Sequence, residues 1–338
     1  MLIKSPPNSR DTSSPPLSKN ATHWASGLTT WGPIFAFVVI VLVFGALSPD
    51  VFLSRGNLLS ILNDQAVLAI MASGMTVVLL TGEFDLSIGA TMTTGAVLSA
   101  GLVSRAHMNP ALVIFLVLVM GGLIGLINGY LVTRFRIPAL IATLAVASIL
   151  DGLVLAYTEG KVIFEGIPQE FIDFGRVNVF SIQVPIFYMM MVAVALWAML
   201  KYTVAGRYLY AIGGNRNAAR MSGIRVNRYI ILAFVVAGVC AAFGGVIQAS
   251  RNGSAQPSLG ASFLLPSFAA AFLGSATLRR GEFHIVGTII GVYLIATGAS
   301  GFFILGAPYW VQYVFSGVIL IIATASSGLL TSHRSDNK

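Results

Sequence analysis

A polytopic bundle of membrane-spanning α-helices is the fold class that the sequence predicts, and three observations carry it. The 338 residues are 56% hydrophobic and only 9% charged, where soluble domains carry roughly 25% charged residues. Apolar runs recur along most of the chain, many of them near the length of about 20 residues that a helix needs to cross a hydrocarbon core of about 30 Å. Glycine is abundant at 35 residues, which suits helices that pack closely in lipid through small residues.

Taken in order, the chain opens with a segment carrying Pro6, Pro7, Pro15 and Pro16 among Ser, Asn and Thr. Such a segment cannot bury enough apolar area to fold alone, so residues 1–32 read as a flexible tail. The length of that tail and the absence of an A-x-A-like site after the first apolar run argue against a removable signal. Residues 33–329 read as the transmembrane domain and 330–338 as a second short tail. Within the domain about ten apolar segments are expected, at 33–48, 66–80, 88–103, 110–132, 138–157, 186–202, 229–249, 262–278, 283–303 and 308–329. Several are short for a simple span. The polar stretch TGEFDLSIG between the second and third predicts a broken or partly re-entrant helix, tolerable only where protein buries it.

Charge placement orients the bundle. With the amino-terminal tail in the cytoplasm, Lys4, Arg10, Lys19, Arg134, Arg136, Lys201, Arg207, Arg216, Arg220, Arg225, Arg228, Arg279, Arg280, Arg334 and Lys338 fall inside; Arg55, Arg105, Lys161, Arg176 and Arg251 fall outside. The excess inside follows the positive-inside rule and puts both termini in the cytoplasm. Topology thus accounts for the net charge of +8, and nucleic acid need not be invoked as a partner. The longest external loop is acidic, with Glu159, Glu165, Glu170 and Asp173, and is long enough to meet an external partner.

Motifs exclude more than they offer. The chain has no G-x-x-x-x-G-K-[ST] phosphate loop and no G-x-S-x-G elbow. Its four histidines are scattered without ligand spacing. Cys240, the single cysteine, lies in an apolar run where packing is its ordinary role. An enzyme is not expected, nor a cofactor held by this chain. A faint repeat sets LSIGATM (86–92) against PSLGASF (257–263). Under the topology above, the two copies enter helices that run in opposite directions, as inverted repeats of transporters do.

The most informative segment is the cytoplasmic loop 204–228, VAGRYLYAIGGNRNAARMSGIRVNR. Gly213, Gly214 and Asn215 predict a turn, residues 217–222 a short helix, and Gly223 a second turn. A short helix across the membrane face suits docking into a groove on a cytosolic partner; its arginines would pair with carboxylates there or serve as topology determinants. This loop resembles the signature of the ribose, xylose and galactose type permeases of bacterial ATP-binding cassette importers, within the wider family that includes branched-chain amino acid permeases. TGEFDLSIGA and the later PSLGASFLLPSFAAAFLGSATLRRGEFHIVGTIIG resemble the same family, and the likeness covers about residues 50–324. Thr81 and Glu83 depart from its commoner G-G-I-D-L-S-V-G pattern, as LRRGEF does from its glycine-led turn.

The resemblance implies a permease homodimer in the bacterial inner membrane, a cytosolic ATPase that binds ATP, and a periplasmic or extracellular solute-binding protein. It maps the coupling contact onto Gly214, Asn215, Ala218, Ala219, Ser222 and Gly223. The expected cargo is a monosaccharide or similar small polar solute, with an amino acid the nearest alternative and an ion-coupled secondary transporter the rival mechanism. For the path, polar groups within apolar runs are the candidates, because a charge at bilayer depth costs about 2.5 to 3.5 kcal/mol even on insertion scales. Asp151 stands in ALIATLAVASILDGLVLAYT and is expected in an aqueous vestibule or in a helix–helix bond. Asp85 either caps the helix after it or touches solute. Asn128, Gln248 and Gln312 suit sugar hydroxyls or interhelical bonds equally.

Overall fold

The computed structural model describes residues 19–180, 182–277 and 281–321, with backbone alone over residues 19–32. The helices are α1 (Lys19–Leu47), α2 (Pro49–Phe52), α3 (Arg55–Asp64), α4 (Ala66–Leu80), α5 (Ile88–Ser104), α6 (Pro110–Arg134), α7 (Ala139–Thr158), α8 (Gln169–Arg176), α9 (Val184–Tyr202), α10 (Val204–Gly214), α11 (Arg216–Met221), α12 (Val226–Asn252), α13 (Ala261–Ser275) and α14 (Ile285–Ile304). A further helix, α15, covers Trp310–Ile321. The strands β1 (Asn178–Val179) and β2 (Ile182–Gln183) form a small antiparallel pair between α8 and α9. The fold is therefore all-α in substance, and each of the ten expected apolar runs carries an apolar helix. Five of these, α6, α7, α9, α12 and α14, have the length to cross a membrane; α3 and α4, bent by 41° where they meet, make a sixth as a pair.

Two expectations need correction. Helix α1 begins at Lys19, so the second half of the expected tail is helical; its prolines end at Pro16, and nothing between there and Pro33 breaks a helix. Residues 1–18 and 322–338, which include the expected short tail 330–338, lie outside the described residues. The coupling loop does not turn at Gly213 and Gly214, because both close helix α10 and the turn falls on Asn215 alone.

Local chemistry sets the element ends. Asn109 Oδ1 accepts from the Ala111 amide at 2.9 Å and starts α6, with Pro110 at the position where a missing N–H costs nothing. His284 Nδ1 accepts from the Gly287 amide at 2.9 Å at the start of α14, while its Nε2 lies 2.9 Å from the Thr277 carbonyl. Gly253, at φ +62°, ends α12.

Helices α4 and α12 form the centre. Every residue of α4 is buried, although its apolar character runs all the way round, as expected of a helix covered on all sides. It meets α12 where a Cβ on Gly74 would lie 2.7 Å from the Cys240 Cβ, which is the packing role of that cysteine. Helix α12 is also gripped by α6 through Gly121, Gly125 and Gly129, spaced four apart on one face. A Cβ on Gly125 would strike the Phe234 carbonyl and sit 2.7 Å from Val235 Cα. Contacts pair off: α12 packs on α5 and α6 as α4 packs on α13 and α14, and α5 meets α6 as α13 meets α14.

At the far end of α12, Arg251 bonds the Asp64 carboxylate at 2.8 Å and the Asn63 carbonyl at 3.1 Å, tying the α3–α4 bend in place. The long loop expected to be external folds down on the same end. Its Phe171 is fully buried, Ser250 donates to the Phe171 carbonyl, and Arg176 Nε donates to the Arg251 carbonyl at 2.6 Å. Glu165, Glu170 and Asp173 stay exposed.

Gly125→Ala is expected to cost about 1–3 kcal/mol through overpacking against immovable backbone. At neighbouring Gly122, where a Cβ would meet nothing nearer than Val239 Cγ2 at 3.5 Å, alanine is expected to be near neutral. Thermal denaturation of the purified variants compares the two, and equal melting temperatures would contradict the packing described.

Candidate coupling face and solute cleft

Helix α11 is short but well specified. Asn215 Oδ1 accepts from the Asn217 and Ala218 amides at 3.0 Å each, satisfying two free donors of the first turn. At its end Gly223 adopts φ +81°; its amide bonds the Arg220 carbonyl at 3.0 Å, and the Ile224 amide bonds the Ala219 carbonyl at 3.1 Å. That paired arrangement requires a residue at ease with positive φ. Of the six positions mapped to coupling, Gly214, Asn215, Ala218, Ser222 and Gly223 are exposed. Ala219 is buried and anchors the helix to the bundle, so it supports the face without being part of it. Met221, which the sequence did not single out, is 89% exposed beside them.

The loop is fastened to the bundle below it. Leu209 and Ile212 of α10 are buried, and Gly213 lies so close to the Leu80 carbonyl that a Cβ there would collide with it. Arg216 Nη2 meets Glu83 Oε1 at 2.6 Å and lies 3.3 Å from the Thr81 carbonyl. Glu83, the departure from the family pattern, thus has a partner 133 positions away. The pair joins α11 to the non-helical stretch between α4 and α5.

That stretch is the break expected from TGEFDLSIG, and its polar groups are met by protein. The Leu86 amide donates to Thr143 Oγ1 on α7 at 3.0 Å. Asp85 is buried; its Oδ1 accepts from the Ser87 amide at 2.9 Å and from Ser87 Oγ at 2.6 Å. Asn128 Nδ2, fully buried on α6, donates to the same Ser87 Oγ at 2.7 Å. Asp85 therefore serves the turn into α5, and Asn128 ties that turn to α6.

Beside this network lies a cleft of about 550 Å³, bounded by Leu86, Gly89, Ala90 and Thr93, by Leu144, Ala147 and Asp151 of α7, and by Pro257, Ser258, Ala261 and Leu264. Both copies of the faint repeat line it. Their equivalent glycines touch: a Cβ on Gly89 would lie 2.7 Å from the Gly260 carbonyl, and the Gly260 amide donates to Thr93 Oγ1 at 2.8 Å. Two helix amino-terminal ends, each with a partial positive charge, meet at its wall. Asp151 is exposed there.

The structure brings Asp85 and Asn128 together behind the cleft and puts Asp151 in it. It does not bring the other two candidates there. Gln248 lies near the far end of α12, its Nε2 3.4 Å from Asn252 Oδ1, and Gln312 stands half-buried on α15. Thr93 and Gly89 were missed as lining residues, and Gly260 as their partner behind the wall, although the repeat that contains both glycines was visible. Among the described residues, no three His, Cys, Asp or Glu side chains converge to hold a metal.

An all-helical bundle with a break facing a cleft and a short exposed helix at one end is the build of an integral membrane permease. Residues 57–324 match the family described as the branched-chain amino acid transport system permease component, and the chain belongs to that family. It is 39% identical over 302 residues, 89% of this chain and 93% of the relative, to the ribose import permease protein RbsC of Bacillus subtilis (strain 168). It is 34% identical to the protein of the same name from Escherichia coli (strain K12), over 86% of this chain and 91% of that one. Against the D-allose transport system permease protein AlsC of Escherichia coli (strain K12), identity is 32% over 89% and 92%. No solved structure matches. The chain is a permease subunit of the ATP-binding cassette importer type, a multi-pass inner-membrane protein and a transporter rather than an enzyme.

The Glu83 side chain is 12% exposed and that of Arg216 42%, so after allowance for solvent the pair is expected to contribute about 1 kcal/mol. A double-mutant cycle with Glu83→Gln and Arg216→Gln, read by thermal denaturation, should return a coupling of that size; additive effects would remove the link.

Proposed function

We propose that this permease carries a monosaccharide or similar small polar solute into the cytoplasm, driven by a separate cytosolic ATPase that docks on α11. The reading rests on one observation above the rest: an exposed helix, capped at both ends and clamped to the bundle by Arg216–Glu83 and by the Gly213–Leu80 contact. A contact built in this way passes displacement inward to the stretch that walls the cleft. The names of the relatives, import permeases for ribose and a transport permease for allose, support the sugar class.

In this reading the chain crosses the bilayer about ten times with both termini in the cytoplasm, and α4–α6 and α12–α14 are inverted repeats meeting at Gly89 and Gly260. The matched pairwise packing of the two sets supports that symmetry. A homodimer completes the path by covering the open side of the Asp151 cleft. A periplasmic or extracellular solute-binding protein delivers cargo to the end where the loop bearing Glu165, Glu170 and Asp173 is folded. Hydroxyls of a sugar are then met by Ser258 and Asp151, an interior polar enough for release and too open for tight capture. ATP-driven closure of the partner domains biases the bundle between two packings, the free energy coming from the ATPase.

Uptake by vesicles containing permease, ATPase and binding protein is expected to require ATP on the ATPase side and to persist when ion gradients are collapsed. Ala218→Arg, which adds bulk to the exposed face of α11, should leave insertion intact and lower uptake at least about tenfold, the loss of roughly 1.4 kcal/mol of coupling. Uptake driven by a proton or sodium gradient without ATPase would refute the proposal, and transport of leucine in preference to ribose would reassign the cargo.

A further inference from the structure

At the coupling end, the α6–α7 connection and the segment from α11 into α12 enclose a second cleft of about 710 Å³. Five guanidinium groups line it: Arg134 and Arg136 on one wall, and Arg216, Arg220 and Arg225 on the other. The one carboxylate lining it among the described residues, Glu83, is taken up by Arg216. Arg136 holds a left-handed backbone at φ +57°, uncommon for a residue with a side chain. The cleft is thus an anion site by charge, with four arginines for which no ion pair occurs among the described residues. The residues that adjoin its first wall in the chain are apolar and exposed. Phe135 is 63% exposed between the two first-wall arginines, and Leu140 and Ile141 at the start of α7 are 51% and 59% exposed.

A ligand matching both features carries a compact anion on an apolar body. We propose that this cleft binds the phosphate headgroup of an anionic phospholipid, its acyl chains lying along Phe135, Leu140 and Ile141. Guanidinium groups suit phosphate through paired N–H donors, and a basic pocket between helices at the membrane surface is where such a headgroup is within reach. An acidic surface on a soluble partner would use the arginines and leave the adjoining apolar residues without a role. The inference goes beyond the transport reading and does not depend on the cargo.

The test uses the full-length chain, delipidated in mild detergent and titrated with phosphatidylglycerol or with phosphatidylcholine of the same acyl chains, bound lipid being counted by native mass spectrometry. Preferential retention of phosphatidylglycerol is expected, weakened about tenfold or more in Arg136→Gln/Arg225→Gln. Lysine at the same two positions should keep most of the preference, and Arg207→Gln, outside this cleft, should keep all of it. The lysine pair separates lost charge from lost folding. Equal retention of the two lipids, or unchanged preference in the double glutamine variant, would overturn the proposal. So would full displacement by glycerol 1-phosphate at matched concentration, which would mark a site for free phosphate. Loss of ATPase association in the double variant with lipid retention intact would give the arginines to the partner instead.

Discussion

Hydrocarbon offers no hydrogen bonds, so every departure from helix at membrane depth must be paired by protein. The arrangement follows from how the chain meets that demand. Helices α4 and α12 sit at the centre and approach each other through Gly74 and Cys240, and α6 closes on α12 through three glycines on one face. This close backbone packing makes a wall dense enough to enclose the stretch between α4 and α5. There Thr143, Ser87 and Asn128 supply partners that lipid cannot. A looser centre would leave the break facing lipid at a cost of several kcal/mol for each unpaired group.

The same break joins the two candidate regions. Its first residues receive Arg216 from the coupling loop, and its last residues wall the cleft that holds Asp151. Asp85 stands between them, and its role is structural: buried, bonded within its own turn, and linked through Ser87 to Asn128. Charge in this part of the molecule is spent on holding a non-helical segment still at one point and attached at another. The cleft is left with a single carboxylate and two helix ends.

Class and helical segments were legible because composition and apolar run length act locally and need no partner to be read. The turn signal at Gly213 and Gly214 misled for a tertiary reason: Gly213 is needed where α10 lies against the Leu80 carbonyl, and the helix continues through Gly214 before Asn215 turns it. Glu83 looked like an unexplained departure because its partner is 133 residues away. The repeat could be aligned by eye, but that its two glycines touch is a fact of packing. Asp151 was found because a charge in an apolar run has few places to go. Gln248 and Gln312 drew attention for the same polarity, yet amides are tolerated along many helix faces and point to no one location.

Helix α4 is covered on every side, and much of its cover, from α12, α13 and α14, lies more than 140 residues further along the chain. During synthesis it therefore enters the bilayer well before those neighbours exist. A helix in that position has to be acceptable to lipid first and to protein later. Its composition meets both conditions: thirteen of its fifteen side chains are apolar or glycine, and the Thr76 hydroxyl already has the Ala72 carbonyl at 2.7 Å, one turn back along the same helix. When α14 arrives, that hydroxyl gains Thr288 Oγ1 at 2.7 Å as a second partner. The uniform greasiness of this helix, every residue of which is buried, thus suits the order in which the chain is made.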